Sequence, residues 1–302
     1  MPGSRKSKRA PQIKVTGLTA ADYFVSEEEA AQRAVDEYKH IANLEARRRA
    51  QTIEIGTGKP IALTFIADIH AGSSGTDYPR LFEEIELINS TPGMYVCTVG
   101  DMVDNFILTK LAFIRFDTRL NIGDEWAITR KVLKAIAQKH LLAVGGNHDK
   151  WTQMMSGVDY FRSVLDSINT TTLYDSDDSR VTLKVGGASW PGRLRHKWRG
   201  SSIYNPTHGM ERAYSFDHDF IWAVGAHTHV SGLARQFNAS GRDTGMAVLC
   251  GAYKRIDPHA RTVGFPHPNK STAVTILFDP ATGSMTGFDN LGTAARAIRA
   301  MQ

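Results

Sequence analysis

From about residue 60 onward, short apolar runs alternate with segments of helical period. IALTFIAD (61–68), MYVCTVGD (94–101), LLAVGG (141–146) and FIWAVGAH (220–227) are too short for helices and carry no internal polar face, so they read as buried strands. Between them, Leu81, Phe82, Ile85 and Ile88 describe one helix, Trp126, Val132, Leu133 and Ile136 a second, and Phe161, Val164, Leu165 and Ile168 a third. Strand and helix in alternation predict an α/β fold. RVTLKV (180–185), GMAVLCG (245–251) and STAVTILFDPATGSMTGF (271–288) read as antiparallel strands, the last with a hairpin turn at Asp279, Pro280 and Gly283. Ahead of all this, Ser26 and Glu29 form a capping-box pattern opening a helix to about Ala50. Its Ala34, Val35, Tyr38, Ile41 and Leu44 recur every three or four residues, which predicts an accessory helix with one face docked on a core.

The chain has 302 residues, 42% of them hydrophobic and 22% charged, the composition of an ordinary globular protein of one large or two small domains. No apolar run approaches the roughly 18 residues of a membrane-spanning helix, and no apolar segment follows the basic N-terminus as in a signal peptide, so a cytoplasmic setting without membrane partners is expected. Cys97 and Cys250 lie inside apolar runs and are expected as buried thiols. The net charge of +5 resides in residues 1–14, where Arg5, Lys6, Lys8, Arg9 and Lys14 meet no acid. That stretch reads as a disordered basic arm, either a solvated leader or a contact for a polyanion. The boundaries drawn are an arm at 1–14, a helical extension at 15–58, a main domain at 59–290 and a C-terminal tail at 291–302.

Each of the four apolar runs ends in metal-binding groups: Asp68-Ile69-His70; Gly100-Asp101-Met102-Val103-Asp104-Asn105; Gly146-Asn147-His148-Asp149; and Gly225-Ala226-His227-Thr228-His229. Any one of these could be an ordinary turn. Open α/β sheets, however, bring the carboxyl ends of their strands together, so the four clusters are expected to converge. Carboxylate, amide oxygen and imidazole without thiolate suit Mn, Fe or Zn. About seven donors are too many for one ion. Two divalent ions sharing one carboxylate, with Asp101 as the natural bridge, is the economical arrangement and a hydrolytic one.

In this order, the four motifs resemble the calcineurin-like metallophosphoesterase superfamily over roughly residues 60–290. The resemblance implies a four-layer α/β/β/α sandwich with a dinuclear metal centre. It implies Asp68, His70 and His229 on one ion, Asn147 and His227 on the other, and Asp101 between them. His148 would contact the phosphoryl oxygen and help the leaving group depart, oriented by the carboxylate of Asp104. The second ion needs a further histidine, for which the chain offers His196, His208 and His218. His196, closing the strand-like SWPGRLRH, is the expected ligand; His208, in NPTHG, is the alternative and could instead line the substrate cleft. Ala226 stands where the family more often has glycine directly before the first histidine of the pair, so a local backbone adjustment is expected there.

Water bridging two such ions is largely deprotonated near neutral pH, and that hydroxide would attack phosphorus in line. Around His196, the cations Arg193, Arg195, Lys197 and Arg199 with Trp198 could grip a phosphate backbone and stack a base, or simply face solvent. Arg195, Lys197, Arg199 and His208 are the candidate substrate contacts, with Tyr204 and Asn205 as further candidate cleft contacts. The pattern points to a phosphodiesterase, with DNA as one candidate, and resembles the DNA-repair nuclease branch more than protein phosphatases. The alternatives are a phosphomonoesterase on a small nucleotide and a non-catalytic nucleic-acid-binding scaffold.

Overall fold

The computed structural model describes residues 16–17, 25–107, 119–168, 171–200, 202, 204–237, 243–256 and 272–302. The basic arm expected at 1–14 lies outside the described residues. The chain divides into a unit ending at Arg47 and a larger one from Arg48 to Gln302.

The first unit contains most of α1 (Glu27–Arg49), whose opening is capped by Ser26 Oγ accepting from the Glu29 N–H at 3.1 Å. The helix forms as the capping pattern predicts, but its apolar stripe is not buried. Val35, Tyr38 and Ile41 are all exposed. The helix is held by local pairs instead, such as Arg33 with Glu29 at 2.6 Å, one turn apart.

The second unit is a sandwich of two mixed six-stranded sheets flanked by helices. One sheet has the order β12-β11-β2-β3-β4-β5, from β2 (Ile61–Ile66), β3 (Met94–Val99), β4 (His140–Val144), β5 (Leu173–Asp175), β11 (Val274–Asp279) and β12 (Ser284–Phe288). In it β2 to β5 run parallel, and β11 returns antiparallel to β2. The other has the order β1-β6-β7-β8-β10-β9, from β1 (Gln51–Ile55), β6 (Asp178–Val185), β7 (Ala188–Arg195), β8 (Trp222–Gly225), β9 (Gly232–Phe237) and β10 (Asp243–Leu249). Here β6 and β7 form an antiparallel hairpin, while β7, β8 and β10 run parallel. Of the three segments expected as antiparallel strands, β11 and β12 pair so throughout, whereas β6 also pairs parallel with β1 and β10 parallel with β8.

Three cores explain the layering. Between the sheets lie Phe65, Cys97, Val144, Leu183, Trp190, Trp222, Val248 and Phe278. On the outer face of the first sheet, α2 (Tyr78–Ser90), α3 (Ile122–Ile136), α5 (Tyr160–Ser167) and α7 (Leu291–Ala300) contribute Leu81, Ile85, Leu133, Phe161 and Ile298. On the outer face of the second, α6 (His208–Tyr214) brings Met210 against Phe220 and Leu249. Between β4 and α5, α4 (Asn147–Ser156) starts directly at the Gly-Asn-His-Asp motif. Every residue of β2 is buried, as in a strand covered on both faces, including Thr64, whose hydroxyl pairs with that of Thr275 at 3.0 Å. Cys97 and Cys250 are buried free thiols, and burial pushes Cys97 up to about 12.

Residues 51–55, grouped in sequence with the helical extension, are an edge strand in parallel register with 181–185, their alternate side chains half-buried. The expected C-terminal tail is α7, which buries Leu291, Ala294, Ala295 and Ile298 at helical spacing against the first sheet's outer face.

Candidate metal centre

Because β2, β3 and β4 run parallel in one sheet and β7, β8 and β10 run parallel in the other, the carboxyl ends of both triplets meet at one edge of the sandwich. The turns leaving them are tightly interlocked. The Asp68 N–H donates to Gly100 O at 3.0 Å, the His70 N–H to Asp101 O at 3.0 Å, the Ala226 N–H to His196 O at 2.9 Å, and the Tyr253 N–H to Asp68 O at 3.1 Å. Asp68, His70, Asp101, Asn105, His227 and His229 all have positive φ between 48° and 76°, a conformation that costs a non-glycine residue energy and concentrates at functional sites. The close approach also fixes two glycines. A Cβ on Gly146 would lie 2.1 Å from Asp101 Oδ1, and one on Gly100 2.6 Å from the Gly146 backbone.

Three overlapping groups of donors result: Asp68, His70 and His229; His70, Asp101 and His148; and Asp101, His196 and His227. Among the described residues no cysteine joins such a group. Asp101 is central. Its Oδ1 accepts the His148 N–H at 2.9 Å, while Oδ2 lies 3.1 Å from His196 Nε2, 3.9 Å from His148 Nε2 and 4.0 Å from His70 Nε2. Asp68 is likewise half engaged: Oδ2 accepts the His227 N–H at 2.9 Å, and Oδ1 faces His229 Nε2 at 3.6 Å and His70 Nε2 at 3.9 Å. The His70 and His229 Nε2 atoms are only 3.1 Å apart.

The donor set fits divalent cations. Asp68 Oδ1, Asn147 Oδ1 and His196 Nε2 are buried without a well-directed hydrogen bond, a costly arrangement that a cation would relieve. The far nitrogens of two imidazoles are already engaged, His196 Nδ1 with Val99 O at 2.8 Å and His70 Nδ1 with Asp104 Oδ1 at 3.1 Å, which directs each Nε2 inward. Burial pushes the His227 imidazole down to about 4 and the His229 imidazole down to about 3, so both are neutral donors at pH 7. Burial raises Asp68 to about 7, whereas the neighbouring histidines hold Asp101 well below the usual carboxylate range despite its burial. His196 is pushed up to about 10 by Asp101 and Asp68, which outweigh its own burial.

Of the two candidates for the remaining histidine, the structure brings His196 to the cluster. His208 is exposed at the start of α6 and belongs to none of the three groups. His148 is oriented differently from expectation. Its Nδ1 bonds the main-chain carbonyl of Asp104, not the carboxylate, which is turned to His70. The ring is packed by Trp151, Phe106 and His70, with centroids at 3.9, 4.9 and 4.6 Å. Burial depresses the His148 imidazole to about 4.

The basic segment is smaller than its sequence suggests. Arg193 is buried and paired with Asp178 and Asp217, and Trp198 turns inward, its indole N–H donating to Val224 O at 2.8 Å. These two cannot serve as phosphate clamp and stacking platform. Lys197 and Arg199 are exposed; Arg195 is half-buried over the Trp198 ring.

Sequence reasoning gave Asp149 and Asn105 no role beyond membership of the metal-binding motifs, and Lys254 none. Asp149 accepts the Met102 N–H at 3.0 Å and the Gly146 N–H at 2.8 Å, stapling two motif loops together. Asn105 donates to His148 O at 2.6 Å. Asp149 and Asn105 lie inside the motifs, where a fixed position within a turn was their only signal.

An α/β sandwich with convergent carboxylates and imidazoles at its strand ends is the framework of a metal-dependent hydrolase. The family model described as calcineurin-like phosphoesterase matches residues 61–231, more than half of the chain. The chain belongs to that family, whose members are metal-dependent phosphoesterases. No curated protein matches it. Solved structures that resemble it include a Vps29 double mutant from Entamoeba histolytica (11% identity over 76% of this chain and 97% of that one, TM-score 0.39). The calcineurin-like phosphoesterase YfkN from Bacillus subtilis (12%, 76% and 90%, 0.39) and the nuclease MPE from Pseudomonas putida (13%, 75% and 87%, 0.33) are others. Similarity at this level assigns no substrate.

Proposed function

We propose that the protein hydrolyses a phosphodiester at a two-ion centre, with Mn as the working metal and nucleic acid as the substrate class. The observation that carries the reading is the position of Asp101, one carboxylate oxygen fixed by a backbone N–H and the other open between His70 and His196. Asp68, His70 and His229 would hold one ion, Asn147, His196 and His227 the other, and Asp101 both. The ions would supply a water of lowered pKa and stabilise charge on the phosphoryl oxygens.

The chain's own groups orient the ester. His148 is held by the Asp104 carbonyl through Nδ1, which leaves Nε2 facing the centre from the Asp101 side. Burial holds its imidazole low, at about 4, and an anionic phosphate beside it would favour the imidazolium that can protonate the leaving oxygen. Lys197 and Arg199, exposed beyond His196, are suited to flanking phosphates, and their modest number favours a short contact over an extended groove.

The test is a Mn-supplemented comparison of bis-p-nitrophenyl phosphate, p-nitrophenyl phosphate, and single- and double-stranded DNA. Hydrolysis of the diester and of DNA is expected. Turnover of the monoester alone would overturn the diesterase reading, and activity on the diester without DNA would remove the nucleic-acid substrate.

A further inference from the structure

A sixth strand end reaches the metal centre, and it carries no metal donor. Beyond β10 the chain runs Cys250-Gly-Ala-Tyr-Lys-Arg255, and its Lys254 is buried with 6% of its surface exposed. A buried ammonium is costly unless an anion faces it. The anion is Asp104, whose Oδ1 lies 3.4 Å from Lys254 Nζ and 3.1 Å from His70 Nδ1. The lysine side chain also crosses the Phe106 ring, 5.5 Å from its centroid.

We propose that Lys254 is a positioning residue of the metal centre: together with His70 it fixes the Asp104 carboxylate, which in turn fixes the His70 ring with Nε2 directed at Asp68 and His229. The inference rests on the reading of His70 as a metal ligand. Two features make the lysine suited to the task. Its backbone is bolted to the loop that bears His70. The Tyr253 N–H donates to Asp68 O, the Asp77 N–H to Tyr253 O at 2.9 Å, the Arg255 N–H to Gly75 O at 2.8 Å, and Thr76 bridges Lys254 itself. The fit at Gly75 is so close that a Cβ there would lie 1.5 Å from Ile256 O. A carboxylate oxygen held by one donor can swing as the Cβ–Cγ bond turns, whereas two donors from different elements meeting on the same Oδ1 fix where it lies. Asp104 therefore presents a fixed acceptor to His70 Nδ1, the kind of outer partner that orients a ligating imidazole.

The sign of the effect separates positioning from simple electrostatics. An ammonium near a divalent ion repels it, so if charge were its whole influence, removing Lys254 would tighten metal binding. If it positions His70 through Asp104, removing it weakens binding.

The experiment is calorimetric titration of MnCl2 into the metal-stripped full chain, as wild type, Lys254→Met, Lys254→Arg, Asp104→Asn and the Lys254→Met/Asp104→Asn double variant. Circular dichroism checks that each is folded; should Lys254→Met fail to fold, Lys254→Gln takes its place in the same cycle. Lys254→Met is expected to weaken one Mn2+ site about 10-fold, the lower end for loss of an outer-sphere partner. Lys254→Arg should restore most of the affinity, and the double variant should bind no more weakly than Asp104→Asn alone, because both changes break one chain of contacts. Unchanged or tighter binding in Lys254→Met, or effects that add in the double variant, would overturn the inference. No substrate is present, so the two readings fail separately. A chain that binds no Mn2+ contradicts the metal centre itself, whereas one that binds Mn2+ with no coupling between Lys254 and Asp104 contradicts only this role.

Discussion

Asp101 and His148 do different work, and their variants should fail in different ways. Asp101 Oδ2 is within 4.0 Å of three imidazoles, so on the proposed two-ion reading Asp101→Asn removes the negative charge that both sites would share. On the same reading His148 would act at the leaving-group side. Diester turnover should drop by about 100-fold or more in His148→Ala, as for loss of a general acid, with Mn2+ affinity retained. In Asp101→Asn both turnover and affinity should fall. Rates with bis-p-nitrophenyl phosphate and Mn2+ titrations measure the two quantities, and near wild-type turnover in either variant would contradict the assignment. At this scale the sequence was informative about donors, because carboxylate and imidazole declare their chemistry wherever they stand. It said little about who holds whom. Asp104 sits at the expected position, yet its carboxylate serves His70 and its carbonyl serves His148, and only the backbone geometry distinguishes those partners.

At the scale of elements, the four apolar runs and their terminal motifs were legible because a doubly covered strand must be apolar throughout and must end where polar ligating groups begin. β1 and α7 were not. QTIEI is five residues with only alternate positions half-buried, too weak a pattern to announce an edge strand beside a long helix. In α7 two of the four buried positions are alanines, whose spacing carries little hydrophobic signal. One buried group within these elements sets a pH dependence. His140, first residue of β4, bonds Thr98 Oγ1 at 3.0 Å, and burial pushes its imidazole down to about 4. Between pH 6.5 and 4 the unfolded chain therefore binds more protons than the folded one. This contribution to stability is complete above 6.5 and is lost as pH falls through that window, by up to about 3 kcal/mol. Urea unfolding of wild type and His140→Gln at pH 7 and pH 5 should show a smaller pH penalty in the variant; equal penalties would contradict it.

For the whole molecule, the two sheets act as one jaw each, with the first supplying Asp68, His70, Asp101, Asn147 and His148 and the second His196, His227, His229 and Lys254. This division was invisible in sequence, since the donors from the two sheets are interleaved only in space. The charge distribution was visible: the excess of +5 equals that of residues 1–14, and the remainder of the chain is neutral. Deleting residues 1–14 should weaken binding to long DNA, most at low salt, and leave turnover of a small diester unchanged. Fluorescence anisotropy over a salt series reads the first effect and a chromogenic assay the second; a loss of small-diester turnover would show that the arm belongs to the site.

Whether two ions lie between the jaws is decided by the number of Mn2+ ions bound per chain in wild type, His196→Ala and His208→Ala. Two ions are expected in wild type, two in His208→Ala and one in His196→Ala. Fewer than two in wild type, or two in His196→Ala, would contradict the two-ion centre.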